Sequence, residues 1–415
     1  MKRERDANHE NVWLRRIPFL ACLVVLAIGT VYSSQLGRTK RFQDESDYVR
    51  CGYNLYTTGS YSKNGVRPTA YRPPGYPVLL GAIYQYDWGR NGIALRLANY
   101  LALCGTILLG AGFLRRRGFP RAAALAAVLG ALYPPFLYTA STLYPQTLGA
   151  LLLAWILYLV PREGPLSAAR GAAIGLVAAA LALTIPTFLA GIGLLLLWLL
   201  RRGGSRALVG VLTAGLALVL CVGSWTYRNY LAFDAFVPIS TNAGRNLLLG
   251  NSDGTTPTSG VNVDLSAFEE QAKGMDEVER DRFYRSAALE WIAADPLRWL
   301  RLYSLKVLNH FNVVNTYATD EEVGRFESIV LAIFFLPLLA IFLWRLMRVR
   351  RVPLWPTEDA LLVVYVGMVF ATALFFTRIR FRLPLDHLMI WIAAASVAGD
   401  RQGRTDAKTA SASDQ

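Results

Sequence analysis

Apolar runs of roughly 20 residues, the length that crosses the hydrocarbon layer as a helix, recur along the chain. Short polar stretches rich in arginine separate them. The pattern predicts membrane helices over residues 17–36, 93–114, 122–139, 143–160, 208–227, 329–346, 360–376 and 385–398. Arginines concentrate at Arg15-Arg16, Arg115-Arg116-Arg117, Arg162, Arg170, Arg201-Arg202 and Arg345 to Arg351. Loops of that kind mark the cytosolic side, so they orient the spans.

One stretch needs separate treatment. Residues 171–200 would make a single helix about 45 Å long, more than a bilayer needs. Arginine flanks both ends, and Pro186 stands in the middle, where it interrupts a helix. This predicts two half-helices folded back at residues 184–187. Residues 75–88 are apolar and aromatic but too short to span, which places them at the membrane interface. Counting the half-helices, the chain makes ten crossings or partial crossings.

Two long polar regions fall on the outer side, about residues 37–91 and 228–325. Between residues 228 and 322 there are 14 Asp and Glu against 9 Lys and Arg, an acidic balance that suits an outer location. Tyr284, Ala287, Ala288, Trp291 and Ile292 recur at helical spacing there, and Asp295-Pro296 stops the run. The domain reading is a cytosolic N-terminus (1–16), one transmembrane unit (17–399) and a polar, disordered tail (400–415). The first apolar run reads as an uncleaved anchor, since many spans follow it.

Composition agrees with an all-α polytopic membrane protein. Hydrophobic residues make up 54% and charged ones only 17%, against roughly 25% charged in soluble proteins. The net charge of +14 comes from arginines that punctuate the spans, not from one basic face, which argues against nucleic acid. Four cysteines give no evident pairing; Cys22, Cys104 and Cys221 fall in apolar runs and Cys51 in the first outer region.

Two basic groups lie on the outer side against the charge rule. The first outer region carries Arg38, Lys40, Arg41, Arg50, Lys63, Arg67 and Arg72; the last outer turn carries Arg378, Arg380 and Arg382. They read either as headgroup contacts or as a binding site for an anionic group. Asp44-Glu45 lies just past the first span. Asp44, Asp47, Tyr48 and Cys51 share one face if residues 43–56 are helical. Both acidic residues also suit a helix start. A carboxylate there can act as general base on a hydroxyl, and guanidinium groups match a phosphate leaving group. Nucleotide sugars are not expected outside the cytosol, so a sugar donor there would ride on a lipid phosphate. The three histidines, His9, His310 and His387, form no cluster with cysteine, so His310 and His387 read as structural; a hydrated divalent ion on Asp44-Glu45 is the remaining metal option. No phosphate-binding loop or serine nucleophile elbow is present.

Several segments together resemble one family. Asp44-Glu45 after the first span is followed by Pro68-Thr69-Ala70-Tyr71-Arg72-Pro73-Pro74-Gly75-Tyr76-Pro77. Further on come Trp225-Thr226-Tyr227-Arg228-Asn229-Tyr230, Leu249-Gly250-Asn251, Asp295-Pro296 with Lys306, and Arg380-Phe381-Arg382-Leu383-Pro384. In this order they resemble the GT-C membrane glycosyltransferases, nearest the RgtA/B/C/D-like and protein-mannosyltransferase-like bacterial enzymes. The resemblance implies a GT-C-type helical bundle in a bacterial inner membrane, with the active site on the extracytoplasmic face. It implies transfer of a hexosyl or pentosyl unit from a polyprenyl-phosphate donor to a glycan, lipid or protein hydroxyl. It assigns Asp44 as base with Glu45 assisting or binding metal. Arg72, with Tyr71 and Asp47 beside it, and Arg228, Arg378, Arg380 and Arg382 are implied at the donor. Tyr71 stands where some relatives carry a metal-binding Glu. The alternative function is a transporter or flippase of a lipid-linked or anionic solute; no internal repeat supports it.

Overall fold

The structure is a computed structural model that describes residues 2–87, 92–314 and 325–399; the tail expected from residue 400 lies outside them. Among the described residues every regular element is helical, and strand pairing is confined to one isolated bridge between Ser62 and Pro68. The chain is an all-α polytopic membrane protein.

The first half contributes α1 (Lys2–Leu36), α2 (Gln43–Thr58), α3 (Gly75–Asp87), α4 (Ile93–Arg116), α5 (Pro120–Leu132), α6 (Pro134–Ser141), α7 (Gln146–Leu159) and α8 (Ala168–Thr184). The second half contributes α9 (Phe188–Gly203), α10 (Leu208–Phe233), α11 (Ala243–Gly250), α12 (Ser266–Gln271), α13 (Glu277–Ala294), α14 (Pro296–Asn309), α15 (Arg325–Met347), α16 (Glu358–Ala373) and α17 (Ile379–Ala398). Among the described residues, five stretches are long and apolar enough to cross a membrane: 12–36, 93–116, 188–233, 326–347 and 379–398.

One continuous core joins α1, α4, α5, α7, α8, α9, α15, α16 and α17, with α17 at its centre. Leu385, Leu388, Met389, Ile390, Trp391 and Ile392 are all buried. Outside this bundle, α2 packs on α3, and α11 packs on α13 around a separate small core of Leu248, Leu249, Tyr284 and Ala288. The layer outside the bundle is therefore built from two regions far apart in sequence.

The fold-back predicted within residues 171–200 is present. Helix α8 ends at Thr184, and α9 starts at Phe188 after Ile185-Pro186-Thr187. The far ends return to one level, where Arg202 donates to the Arg162 carbonyl at 2.9 Å. At the turn, Gly75 packs so close to Thr184 that a Cβ would lie 2.3 Å from its Oγ1. The turn thus touches the proline segment. The helix expected around Tyr284 to Ile292 is α13, and Asp295 both ends it and caps α14, accepting from the Arg298 amide at 2.9 Å.

Three expectations need correction. The span expected over 122–139 is two helices, α5 and α6, bent by 54° at Tyr133-Pro134, because Pro134 opens a new helix instead of continuing one. The span expected over 208–227 runs on to Phe233. Arg380 and Arg382 do not sit in a loop; α17 begins at Ile379, so both are in its first turn.

Candidate active site

Helix α2 starts after Phe42 with Asp44 and Glu45 in its first turn and ends at Gly59, whose φ of +70° closes the helix in the left-handed conformation that glycine adopts freely. This presents Asp44 and Asp47, one turn apart, to the proline segment. Arg72 NH2 lies 2.6 Å from Asp44 Oδ1 and 3.0 Å from Asp47 Oδ2, and its Nε donates to Asp47 Oδ2 at 3.2 Å. Lys63 Nζ reaches the same Asp47 oxygen at 3.0 Å. From the start of α17, Arg380 NH2 approaches Asp44 Oδ2 at 3.7 Å. Asp44 is thus wedged between two guanidinium groups brought from residues 72 and 380.

Aromatic rings line the cluster. The Arg72 guanidinium carbon lies 5.1 Å from the Tyr48 ring centroid and 5.0 Å from that of Tyr71. Lys63 Nζ sits 3.7 Å from the Tyr71 ring, and Arg380 stacks at 4.8 Å on Tyr144. Rings of this kind hold cations in place while leaving their N–H groups for an anion. The Arg380 Nε is buried and makes no hydrogen bond.

Burial pushes the Asp44 carboxyl up, but Arg72 and Arg380 together outweigh it and hold the group below the usual carboxylate range. Asp44 is ionised at neutral pH. Arg72 is held charged more firmly than usual; burial opposes this, and the neighbouring Tyr48, Asp44, Tyr71 and Asp47 overcome it. Asp44 keeps 30% of its side chain exposed, so the carboxylate is reachable.

The structure separates Asp44 from Glu45. Glu45 points off the shared face, is 1% exposed and has neither oxygen in a well-formed hydrogen bond. Burial raises its pKa against the opposing charge of Arg96. Of the other expected residues, Asp47, Tyr71, Arg72 and Arg380 meet at Asp44. Arg228 does not; it donates to the Thr69 and Tyr61 carbonyls at 2.9 and 3.0 Å and supports the proline segment from behind. Arg378 NH2 faces Asn262 Oδ1 at 3.3 Å. Arg382 turns into the bundle and pairs with Asp386 at 3.2 Å, both groups 0% exposed. A residue at i+4 on the same helix captured it, a signal present in the sequence as Arg382…Asp386. Lys63 was legible only as one of seven basic residues, and Tyr144 carried no local signal at all.

Among the described residues no group of three or more His, Cys, Asp or Glu comes together to hold a metal ion. The donor set at Asp44 is two carboxylates facing three cations, and Glu45 is not part of it. That arrangement fits an anion placed among the cations better than a divalent cation. His387 stacks on Phe136 with ring centroids 3.7 Å apart, and the His310 carbonyl accepts from Arg382 at 2.9 Å, so both serve the bundle.

Solved structures share this architecture. The archaeal oligosaccharyltransferase AglB from Archaeoglobus fulgidus, in complex with an inhibitory peptide and a dolichol-phosphate, aligns over 90% of this chain and 50% of its own at 17% identity and a TM-score of 0.51. The fold is GT-C. The apo form of the Archaeoglobus fulgidus oligosaccharyltransferase covers 94% of this chain and 52% of its own, at 16% identity and a TM-score of 0.50. ArnT from Cupriavidus metallidurans, bound to undecaprenyl phosphate, covers 91% and 77% at 15% identity and a TM-score of 0.47. The chain spans about half the length of the oligosaccharyltransferase. No family model and no curated protein matches the chain.

Proposed function

We propose that this protein is a membrane glycosyltransferase that moves a sugar from a polyprenyl-phosphate donor to a hydroxyl acceptor on the extracytoplasmic face. The observation that carries the reading is the Asp44 carboxylate held between Arg72 and Arg380. A base and two phosphate-binding groups stand within one contact of each other, on the outer side of a GT-C bundle. The dolichol-phosphate on the oligosaccharyltransferase of the same fold supports a lipid phosphate as the ligand class.

In the proposed reaction the acceptor oxygen forms a bond to the anomeric carbon. The bond from that carbon to the phosphate oxygen breaks, and its electron pair leaves with the phosphate. Asp44 accepts the acceptor's proton. Arg72 and Arg380 bind the phosphate and neutralise the charge it gains. Because these same arginines hold Asp44 below its usual pKa, a phosphate that draws them away also raises the basicity of Asp44. Donor binding thereby prepares the base. Asp47 and Lys63 keep Arg72 oriented, and Tyr48, Tyr71 and Tyr144 exclude water around the cations.

The test is product formation. Purified protein in nanodiscs is incubated with a panel of polyprenyl-phosphate sugars and cell-envelope acceptors, and products are read by mass spectrometry. A glycosylated product with at least one donor is expected. No product with any donor, together with solute flux in proteoliposomes, would replace this reading with a transporter.

A further inference from the structure

The proline segment that carries Arg72 is bonded to a carboxylate more than two hundred residues away. We infer that Glu277 is a positioning residue for the phosphate site, acting through the backbone of the proline segment. This rests on the reading of Arg72 as a phosphate ligand.

The local sequence explains why Glu277 is available. Asp276 caps α13, accepting from the Val278 and Glu279 amides at 2.8 Å each, while Glu279 reaches back to the Asp276 amide at 3.0 Å. This reciprocal cap fixes the first turn. It leaves Glu277, at the first helical position, free to point away from its own helix. Its carboxylate accepts three hydrogen bonds, none from α13: from Thr69 Oγ1 at 2.6 Å, from the Ala70 amide at 2.7 Å and from Thr241 Oγ1 at 2.6 Å.

Those bonds land on the two residues before Tyr71-Arg72. Thr69 Oγ1 also accepts from the Tyr71 amide at 3.1 Å, so Glu277 and Tyr71 share one hydroxyl. The Thr241 amide donates to the Ala70 carbonyl at 3.0 Å, which completes a closed loop from Glu277 through Thr241 to Ala70. On the other side Tyr61 donates to the Arg72 carbonyl at 2.8 Å, and Arg228 holds the Thr69 and Tyr61 carbonyls. Of the groups that hold the backbone of residues 69 to 72, Glu277 is the carboxylate, and it joins the first polar region to the second. One turn further along α13, Asp281 accepts from the Gly244 amide at 2.6 Å, so the same helix also fixes the start of α11. The bidentate fit of a guanidinium to a phosphate needs its origin held to a fraction of an ångström. A clamp on the backbone two residues away supplies that.

The bonds are donated by neutral groups, so a neutral acceptor of the same shape can take the place of the carboxylate. A glutamine retains an acceptor for the Ala70 amide and Thr241 and can donate its amide N–H to Thr69 Oγ1. An aspartate keeps the charge but is one methylene short.

The experiment titrates undecaprenyl phosphate into the full-length protein in nanodiscs, well below the melting temperature of every variant. Glu277→Ala is expected to weaken binding about tenfold or more and Glu277→Asp about as much, whereas Glu277→Gln stays within about threefold of the parent. A residue needed only for folding would not show rescue by Gln alongside loss in Asp. Parental affinity in Glu277→Ala overturns the inference. Parental affinity in Arg72→Gln overturns the underlying reading of Arg72 instead, so the two failures are distinct. If Glu277→Ala does not fold, Thr69→Val is measured, with about threefold weaker binding expected; parental affinity there also overturns the inference.

Discussion

Two of the molecule's Arg–Asp meetings are alike in chemistry and differ in what surrounds them. In the layer outside the bundle, Arg72 and Arg380 converge on an Asp44 that stays 30% exposed. In the bundle, Arg382 and Asp386 pair at 3.2 Å with nothing exposed. The Arg382 guanidinium lies 3.4 Å from the Phe335 ring centroid, its NH1 donates to the His310 and Asn312 carbonyls at 2.9 Å, and Tyr133 donates to Asp386 at 3.1 Å. The buried pair therefore ties α17 to α15, to the end of α14 and to the bend between α5 and α6. Ionisable groups inside a membrane protein are functional candidates by default. Here the comparison reverses that default: the sealed pair is architecture, and the half-open cluster is where an anion can enter and displace one partner.

The largest expected effect follows from the sealed pair. Arg382→Met leaves the Asp386 carboxylate buried without its cation, and breaking such a pair costs about 3–5 kcal/mol. Thermal unfolding in detergent is expected to show a large loss of melting temperature. The double variant Arg382→Met/Asp386→Leu is expected to recover most of it, because no charge is then left alone. A double variant as unstable as the single one would mean that the pair itself, not the orphaned charge, holds the bundle.

Next comes the open cluster. Asp44→Asn keeps the size of the side chain and removes the proton acceptor. Turnover is expected to fall by about 10²–10⁴, the usual contribution of a general base. Melting temperature should move far less than in Arg382→Met. Full turnover in Asp44→Asn would remove the proposed base and erase the functional side of the comparison.

What was legible in the sequence divides along the same line. The long apolar helices at 12–36, 93–116, 326–347 and 379–398 were readable because hydrophobic length is a local property, and the fold-back at Ile185-Pro186 was readable because arginine flanked both ends. The bend at Tyr133-Pro134 has its signal in Pro134-Pro135, which the apolar length of the run outweighed in the span reading. At the site, Asp44 and Asp47 followed from helical spacing, and Arg72 from its proline context. Arg382 was misplaced because its charge was weighed against the membrane surface and not against Asp386 one turn on. Glu277, Lys63 and Tyr144 reach the site from separate segments, and no local pattern reveals a contact of that kind.

Glu45 tests the comparison at its boundary, since it is next to Asp44 in sequence and buried like Asp386. Among the described residues its carboxyl makes no ion pair, and burial raises its pKa against the charge of Arg96. The signs of the two neighbours are therefore opposite. Asp44, depressed in the fold, contributes stability that is present above the unfolded carboxylate pKa and lost as pH falls through its lower folded value. Glu45, raised in the fold, takes up its proton at a higher pH than the unfolded chain does, so it costs stability at neutral pH, and that cost fades as pH falls through its folded value. Glu45→Gln is expected to raise the melting temperature slightly at pH 7, to leave it nearly unchanged below the unfolded carboxylate pKa, and to keep turnover within about threefold of the parent, a change of well under 1 kcal/mol. Turnover reduced as far as in Asp44→Asn would instead put Glu45 in the chemistry, and burial would no longer separate the architectural carboxylates of this protein from the reactive one.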